Sequence, residues 1–122
     1  MSKQLHETQN QERRRFVRAD IYAVTRYFCS VRDKEIGVQT RISDISEGGV
    51  KLITFEEGIP IDTIITLNFR LPDTKERLIA VKGAVKYTGY LEKDLFRSGV
   101  EFCKLGKKDL QAIRGYVAQK HR

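Results

Sequence analysis

The 122-residue sequence predicts an all-β domain with one terminal helix: a six-stranded antiparallel β-barrel, a C-terminal α-helix and a flexible N-terminal arm. Three observations predict it. Six runs rich in β-branched and aromatic residues follow one another at near-regular spacing, with glycine, proline or charged turns between them. Near residue 107 the hydrophobic period changes from that of a strand to that of a helix. The first dozen residues, by contrast, are almost devoid of apolar side chains.

In chain order, residues 1–11 read as a flexible arm and residues 12–122 as one domain, with the barrel over about 19–103. Ile21–Cys29 is the first predicted strand, and the charged turn Arg32-Asp33-Lys34-Glu35 follows it. Val38–Ile45 is the second. Val50–Phe55 begins directly after Gly48-Gly49 and forms the third. Ile64–Leu71 alternates cleanly, with Ile65, Leu67, Phe69 and Leu71 on one face, and Pro72-Asp73 closes it with turn chemistry. Leu78–Tyr87 alternates through Ile79, Val81, Val85 and Tyr87. Phe96–Cys103 is the sixth strand, with Val100 and Phe102 on opposite parity to Glu101. In Lys107–Lys120 the residues Leu110, Ile113, Tyr116 and Val117 fall at helical spacing. Lys120, His121 and Arg122 complement the dipole at the helix end. The apolar stripe of this helix is expected to cover the barrel, the alternative being a homodimer interface or a docking surface.

Size and composition narrow the function classes. A chain of this length builds one core, and no apolar run is long enough to span a bilayer. Met1–His6 leads into polar residues, unlike a secretory signal. Cys29 and Cys103 lie far apart, without CxxC spacing and without a histidine partner in His6 or His121. Neither a metal site nor a cofactor is expected; the thiols read as buried and reduced, and the chain as cytoplasmic. No paired carboxylates or Gly-rich phosphate-transfer loop are present, so catalysis is not expected.

The net charge of +7 sits at the two ends. Residues 1–18 carry five Lys/Arg against two acids, and residues 104–122 carry six against one. The middle is nearly balanced, with twelve against thirteen. A protein that tracks a nucleic-acid backbone spreads its charge over a folded face. This distribution suits a local grip on an anion better. A small barrel that stacks RNA or single-stranded DNA bases on Tyr22, Tyr27, Phe28, Tyr87, Tyr90 or Phe96 remains the alternative, although strand periodicity assigns most of these rings to the core.

Two clusters carry the chemistry. Arg13-Arg14-Arg15-Phe16-Val17-Arg18 offers several planar guanidinium forks, which match phosphate oxygens or the O6/N7 edge of guanine bidentately. Asp44-Ile45-Ser46-Glu47-Gly48-Gly49 offers an acceptor carboxylate for a guanine N1/N2 edge, a hydroxyl that both donates and accepts, and two glycines. Those glycines permit positive φ and close backbone approach to an anion. Either cluster alone is unspecific: a basic run at a terminus is commonly just solvated, and Asp, Ser and Gly are ordinary turn residues.

Together, Arg14-x-x-x-Arg18 before the first strand and Asp44-x-Ser46-x-x-Gly49 between the second and third strands resemble the two-part signature of the PilZ domain family. Gly99-Val100-Glu101-Phe102 resembles the family's closing strand. The resemblance extends from about Glu12 to the C-terminus. It implies a six-stranded barrel with a C-terminal helix, and a receptor for cyclic di-GMP. Arg14 and Arg18 would grip guanine and phosphate, Asp44 and Ser46 would read guanine and ribose-phosphate, and Gly48 and Gly49 would allow the loop's path. Arg13, just before the first motif arginine, would favour an intercalated ligand dimer. By the same resemblance the arm would order over the ligand and signal to a partner protein; a protein-interaction adaptor that binds no nucleotide is the alternative.

Overall fold

A computed structural model describes residues 16–72 and 77–121 of the chain. Six strands, β1 (Ala19–Val31), β2 (Lys34–Ser46), β3 (Gly49–Phe55), β4 (Ile64–Arg70), β5 (Leu78–Glu92) and β6 (Leu95–Lys104), precede helix α1 (Lys107–Lys120). All strand pairs are antiparallel and close into a barrel of order β1-β2-β3-β6-β5-β4. The predicted all-β architecture with a C-terminal helix is therefore the observed one. The arm at residues 1–11 lies outside the described residues.

Alternation builds the interior. Ile65, Leu67 and Phe69 of β4 are buried together with Ile42 and Ile45 of β2, Val50 and Leu52 of β3, Ile79, Val81 and Val85 of β5, and Val100 and Phe102 of β6. Apolar burial of this kind is the main favourable term in folding. Helix α1 adds Ile113, Tyr116 and Val117 to the same core and rests on β1 and β2. Its apolar stripe thus covers the barrel, with Leu110 only half-buried at the edge. The closing β1–β4 seam is short, pairing Arg26 with Asn68, Tyr27 with Leu67 and Phe28 with Thr66. Beside it the Thr25 hydroxyl donates to the Asn68 carbonyl.

Several expectations need correction. The β1–β2 connection is the two-residue turn Arg32-Asp33, both at positive φ, rather than a four-residue loop. That geometry matches the twist of the flanking strands, so Lys34 and Glu35 are already paired in β2. Tyr87 does not continue the buried face of β5, because a register shift between Val85 and Tyr87 turns it outward. Tyr22 and Tyr90 are exposed as well, and Tyr27, Phe28 and Phe96 are only half-buried. None of these six aromatics, most of which periodicity assigns to the core, is fully buried. Of the two thiols expected to be buried, Cys29 is half-buried and Cys103 is exposed.

Candidate functional site

The two sequence clusters converge at one end of the barrel. Arg18 immediately precedes β1, and β1 pairs with β2 so that Asp20 faces Asp44 and Ala19 faces Ile45. This register brings the arginine to the Asp44–Ser46 segment across an interval of 26 residues. Arg18 Nε donates to Asp44 Oδ1 at 2.6 Å, and its Nη2 lies 2.5 Å from the same oxygen. Arg18 Nη1 reaches Ser46 Oγ at 3.3 Å. A single guanidinium therefore bridges Asp44 and Ser46 of the second cluster. Its side chain remains 38% exposed, so water screens the pair and its net worth to stability is small.

The glycines contribute differently from what their composition suggests. Neither Gly48 nor Gly49 adopts positive φ; no described glycine does. They matter because the chain passes too close to its neighbours for a Cβ. On Gly49 a Cβ would stand 2.0 Å from the Val100 carbonyl oxygen of β6. On Gly48 it would stand 2.8 Å from the ring of Phe16. The Gly48 amide donates to Ser46 Oγ at 3.1 Å and its carbonyl accepts from Phe102 N at 2.9 Å. The turn is thus pinned to β6 on one side and to the incoming arm on the other. Arg13 and Arg14, with Arg15, lie outside the described residues.

Sequence reasoning missed four further contacts around this site. Lys51 Nζ lies 3.8 Å from Asp44 Oδ2, placed there by the β2–β3 register. Glu47 is bonded to Arg114 of α1. His121 has its Nε2 2.7 Å from the Arg18 carbonyl oxygen. Tyr116 donates its hydroxyl to the Asp20 carbonyl at 3.3 Å. A hollow of about 300 Å³ lies where Val17, Glu47, Arg114, Val117, Ala118 and His121 meet. The helix therefore touches both halves of the site. The only sequence signal was that Arg114 and His121 flank the apolar stripe, which names no partner.

Chemically, the arrangement has groups that could meet an anion that also carries a hydrogen-bonding edge. It offers an acceptor pair, a hydroxyl, a backbone turn held against β6, and guanidinium donors. The sequence matches the PilZ domain family over residues 12–119, and the chain belongs to that family. No curated protein sequence matches it. Solved structures of similar fold include the Bacillus subtilis inhibitor of motility MotI/DgrA, at TM-score 0.75 and 20% identity over 89% of this chain and 51% of that one. The PilZ domain with c-di-GMP of YcgR from Escherichia coli gives 0.67 and 11%, over 90% and 92%. The MrkH–c-di-GMP complex of K. pneumonia gives 0.69 and 16%, over 86% and 51%. The chain spans about half the length of the MotI and MrkH chains it matches. Among the described residues no helix is long and apolar enough to cross a membrane.

Proposed function

We propose that this chain is a cyclic di-GMP receptor whose binding groups are Arg13, Arg14, Arg18, Asp44, Ser46, Gly48 and Gly49. The observation that carries the reading is Arg18, held against Asp44 and Ser46 at the barrel mouth while its guanidinium stays open to solvent. Family membership and the c-di-GMP-bound YcgR and MrkH neighbours support the choice of ligand. Arg18 and Lys51 lie against the oxygens of Asp44. An entering guanine edge takes over part of that carboxylate, and the freed guanidinium turns to a phosphate. Exchanging one charge-assisted hydrogen bond for another costs little, so the ion pair keeps the site ordered without closing it. Arg13 and Arg14 then fold over the ligand, and Arg13 accommodates a second, intercalated ligand.

The altered arm surface, with the α1 residues tied to it, would be read by a downstream protein, and the receptor would act without catalysis. The neighbours named as an inhibitor of motility and a transcription regulatory factor are consistent with such a relay. Titration calorimetry with cyclic di-GMP tests the reading. Wild type is expected to bind, and Asp44→Ala or Arg18→Ala is expected to weaken binding by about a hundredfold, as for a truncated charge pair that contacts its ligand directly. Arg14→Ala is expected to do the same. Undiminished binding by these variants would remove the site assignment. Absence of wild-type binding would favour an adaptor that binds no nucleotide, and preference for homopolymer RNA would favour a nucleic-acid barrel.

A further inference from the structure

The barrel closes unevenly. β1 runs from Ala19 to Val31, yet only Arg26, Tyr27 and Phe28 of it pair with β4. Before Arg26 the strand keeps β2 on one side and pairs with no strand on the other. Two local features part the walls here. A register shift between Asp20 and Ala23 bends β1. β4 ends at Arg70, and Pro72, which has no N–H for a ladder, follows two residues later. A groove of about 600 Å³ lies in the gap. The buried Ala23, Thr25, Phe69 and Leu71 line it, so it is a slot into the wall rather than a space among surface side chains.

Strand edges of this kind are normally covered or crowded with charge, because they pair with any extended chain that meets them. The rim of this slot is instead apolar: Tyr22 is 71% exposed, Val24 57% and Leu78 54%. The charge around it has one sign. Residues 22–28, 37–41, 64–72 and 78–82 contain no Asp or Glu, whereas they contain Arg26, Arg41, Arg70 and Lys82. The ion pairs of the described residues include neither Arg26 nor Arg41. Arg41, the ladder neighbour of Val24, rests its guanidinium 5.0 Å from the centre of the Tyr22 ring, which keeps a cation beside the slot. A second copy of the chain is a poor occupant. Each copy carries a net charge of +7, and edge-to-edge pairing would bring basic walls together.

We propose that the slot between β1 and β4 docks an extended, acidic segment of a partner protein, which adds as a strand to the open edge of β1. Main-chain groups of residues 21–25 that point towards β4 pair with it over about 17 Å. Its apolar side chains cover Tyr22, Val24 and Leu78, and its carboxylates meet Arg26 and Arg41. Because Arg18 directly precedes β1, one strand serves both the ligand site and the docking edge. The inference gives a chemical class to the downstream partner of the receptor reading, and it rests on that reading for the relay but not for the docking itself.

Fluorescence anisotropy on the full chain, with capped peptides of alternating valine and glutamate, tests this. The glutamate peptide is expected to bind and to slow amide exchange in residues 21–25, read by NMR, by at least about tenfold. A valine–lysine peptide should not bind. Arg26→Glu is expected to weaken the glutamate peptide by at least about tenfold. Val24→Glu, which sets a carboxylate on the exposed rim, should do the same without lowering the unfolding midpoint. Lys34→Glu, the same charge change at the far end of the β1–β2 hairpin, should leave affinity within about twofold and so exclude a long-range field effect. Equal binding of a glutamate peptide N-methylated at alternate residues would overturn strand addition, as would affinity that survives both Arg26→Glu and Val24→Glu. Self-association of the wild type that Arg26→Glu abolishes in sedimentation would give the slot to a second copy and also overturn it. A chain that binds cyclic di-GMP but takes the glutamate peptide neither with nor without it would remove the slot and leave the receptor. One that takes the peptide but binds no cyclic di-GMP would remove the receptor and leave the slot.

Discussion

The barrel carries two polar sets, one at each end, and they are built on opposite rules. Inside the barrel, on the side towards the β1–β2 turn, a set of neutral hydroxyls is buried or half-buried and paired within the protein. Ser98 Oγ accepts from the Ile59 amide at 3.2 Å and shares a 2.8 Å bond with the Thr88 hydroxyl. Thr40 and Thr54 donate to the carbonyls of Ile53 and Glu57. At the other end the groups are charged and partly exposed, and they hold one another across strands: Arg18, Asp44, Lys51, Glu47 and Arg114. Internal hydroxyls cost little to desolvate once bonded, and they then serve only to fix the loops that they hold. Charged groups left in contact with water can exchange partners. Under the proposed receptor reading, stability and recognition are thus assigned to different ends, with Gly49, packed against the Val100 carbonyl, serving both.

Gly49→Ala is the most severe way to break that division. The added Cβ would meet the Val100 carbonyl, a backbone atom that cannot turn aside. Opening the β3–β6 ladder is expected to cost about 3 kcal/mol or more, at the upper end of overpacking, with ligand binding lost as well. Urea denaturation measures the first effect and calorimetry the second. A stable variant that still bound ligand would show the close approach to be unimportant.

Ser98→Ala probes the opposite end alone. It leaves the Ile59 amide and the Thr88 hydroxyl without a partner in a buried setting, and the expected destabilisation is about 1–3 kcal/mol. Affinity for cyclic di-GMP should stay within about twofold, because additivity holds for well-separated groups. A parallel loss of affinity would show that the two ends are coupled and that the division of labour is wrong.

The same division explains what the sequence revealed. The six strands, the helix bounds and the inward faces of β4 were legible, because apolar alternation is a strong and local signal. So was the placing of the arginine cluster beside the Asp44–Gly49 turn, which follows from strand order, although the Arg18 contacts with Asp44 and Ser46 themselves rest on the β1–β2 register. The strand lengths were not. β1 and β2 run to an Arg32-Asp33 turn that lacks the Asn-Gly signature of its type. A bulge before Tyr87 inverts the parity on which its predicted burial rested. The glycines were read as conformationally special, whereas their role lies in the contact with Val100 and Phe16, which no local pattern encodes. Lys51 beside Asp44 and His121 at the Arg18 carbonyl likewise depend on register and on the helix packing angle. Long-range contacts of that kind have no signature in one sequence.

The smallest expected effect concerns Tyr27, on the side of the polar interior. Its phenol is pushed above the ordinary tyrosine value, chiefly by burial and secondarily by electrostatic repulsion from the neighbouring Cys29 and Glu57 side chains. The neutral form is therefore favoured in the folded state. Raising the folded value above the unfolded one yields a contribution to stability that is fully present below about pH 10 and lost as the pH climbs through the folded value. Nothing changes near neutrality. In an absorbance titration of the tyrosines, Tyr27→Phe should remove a step that lies above the ordinary tyrosine range. A late step that survives the substitution would move the desolvated phenol elsewhere. Because Tyr27 sits in the β1–β4 seam opposite Leu67, its ionisation also reports whether that short seam opens. Cyclic di-GMP bound at the charged end should leave the late step in place if the two ends act independently.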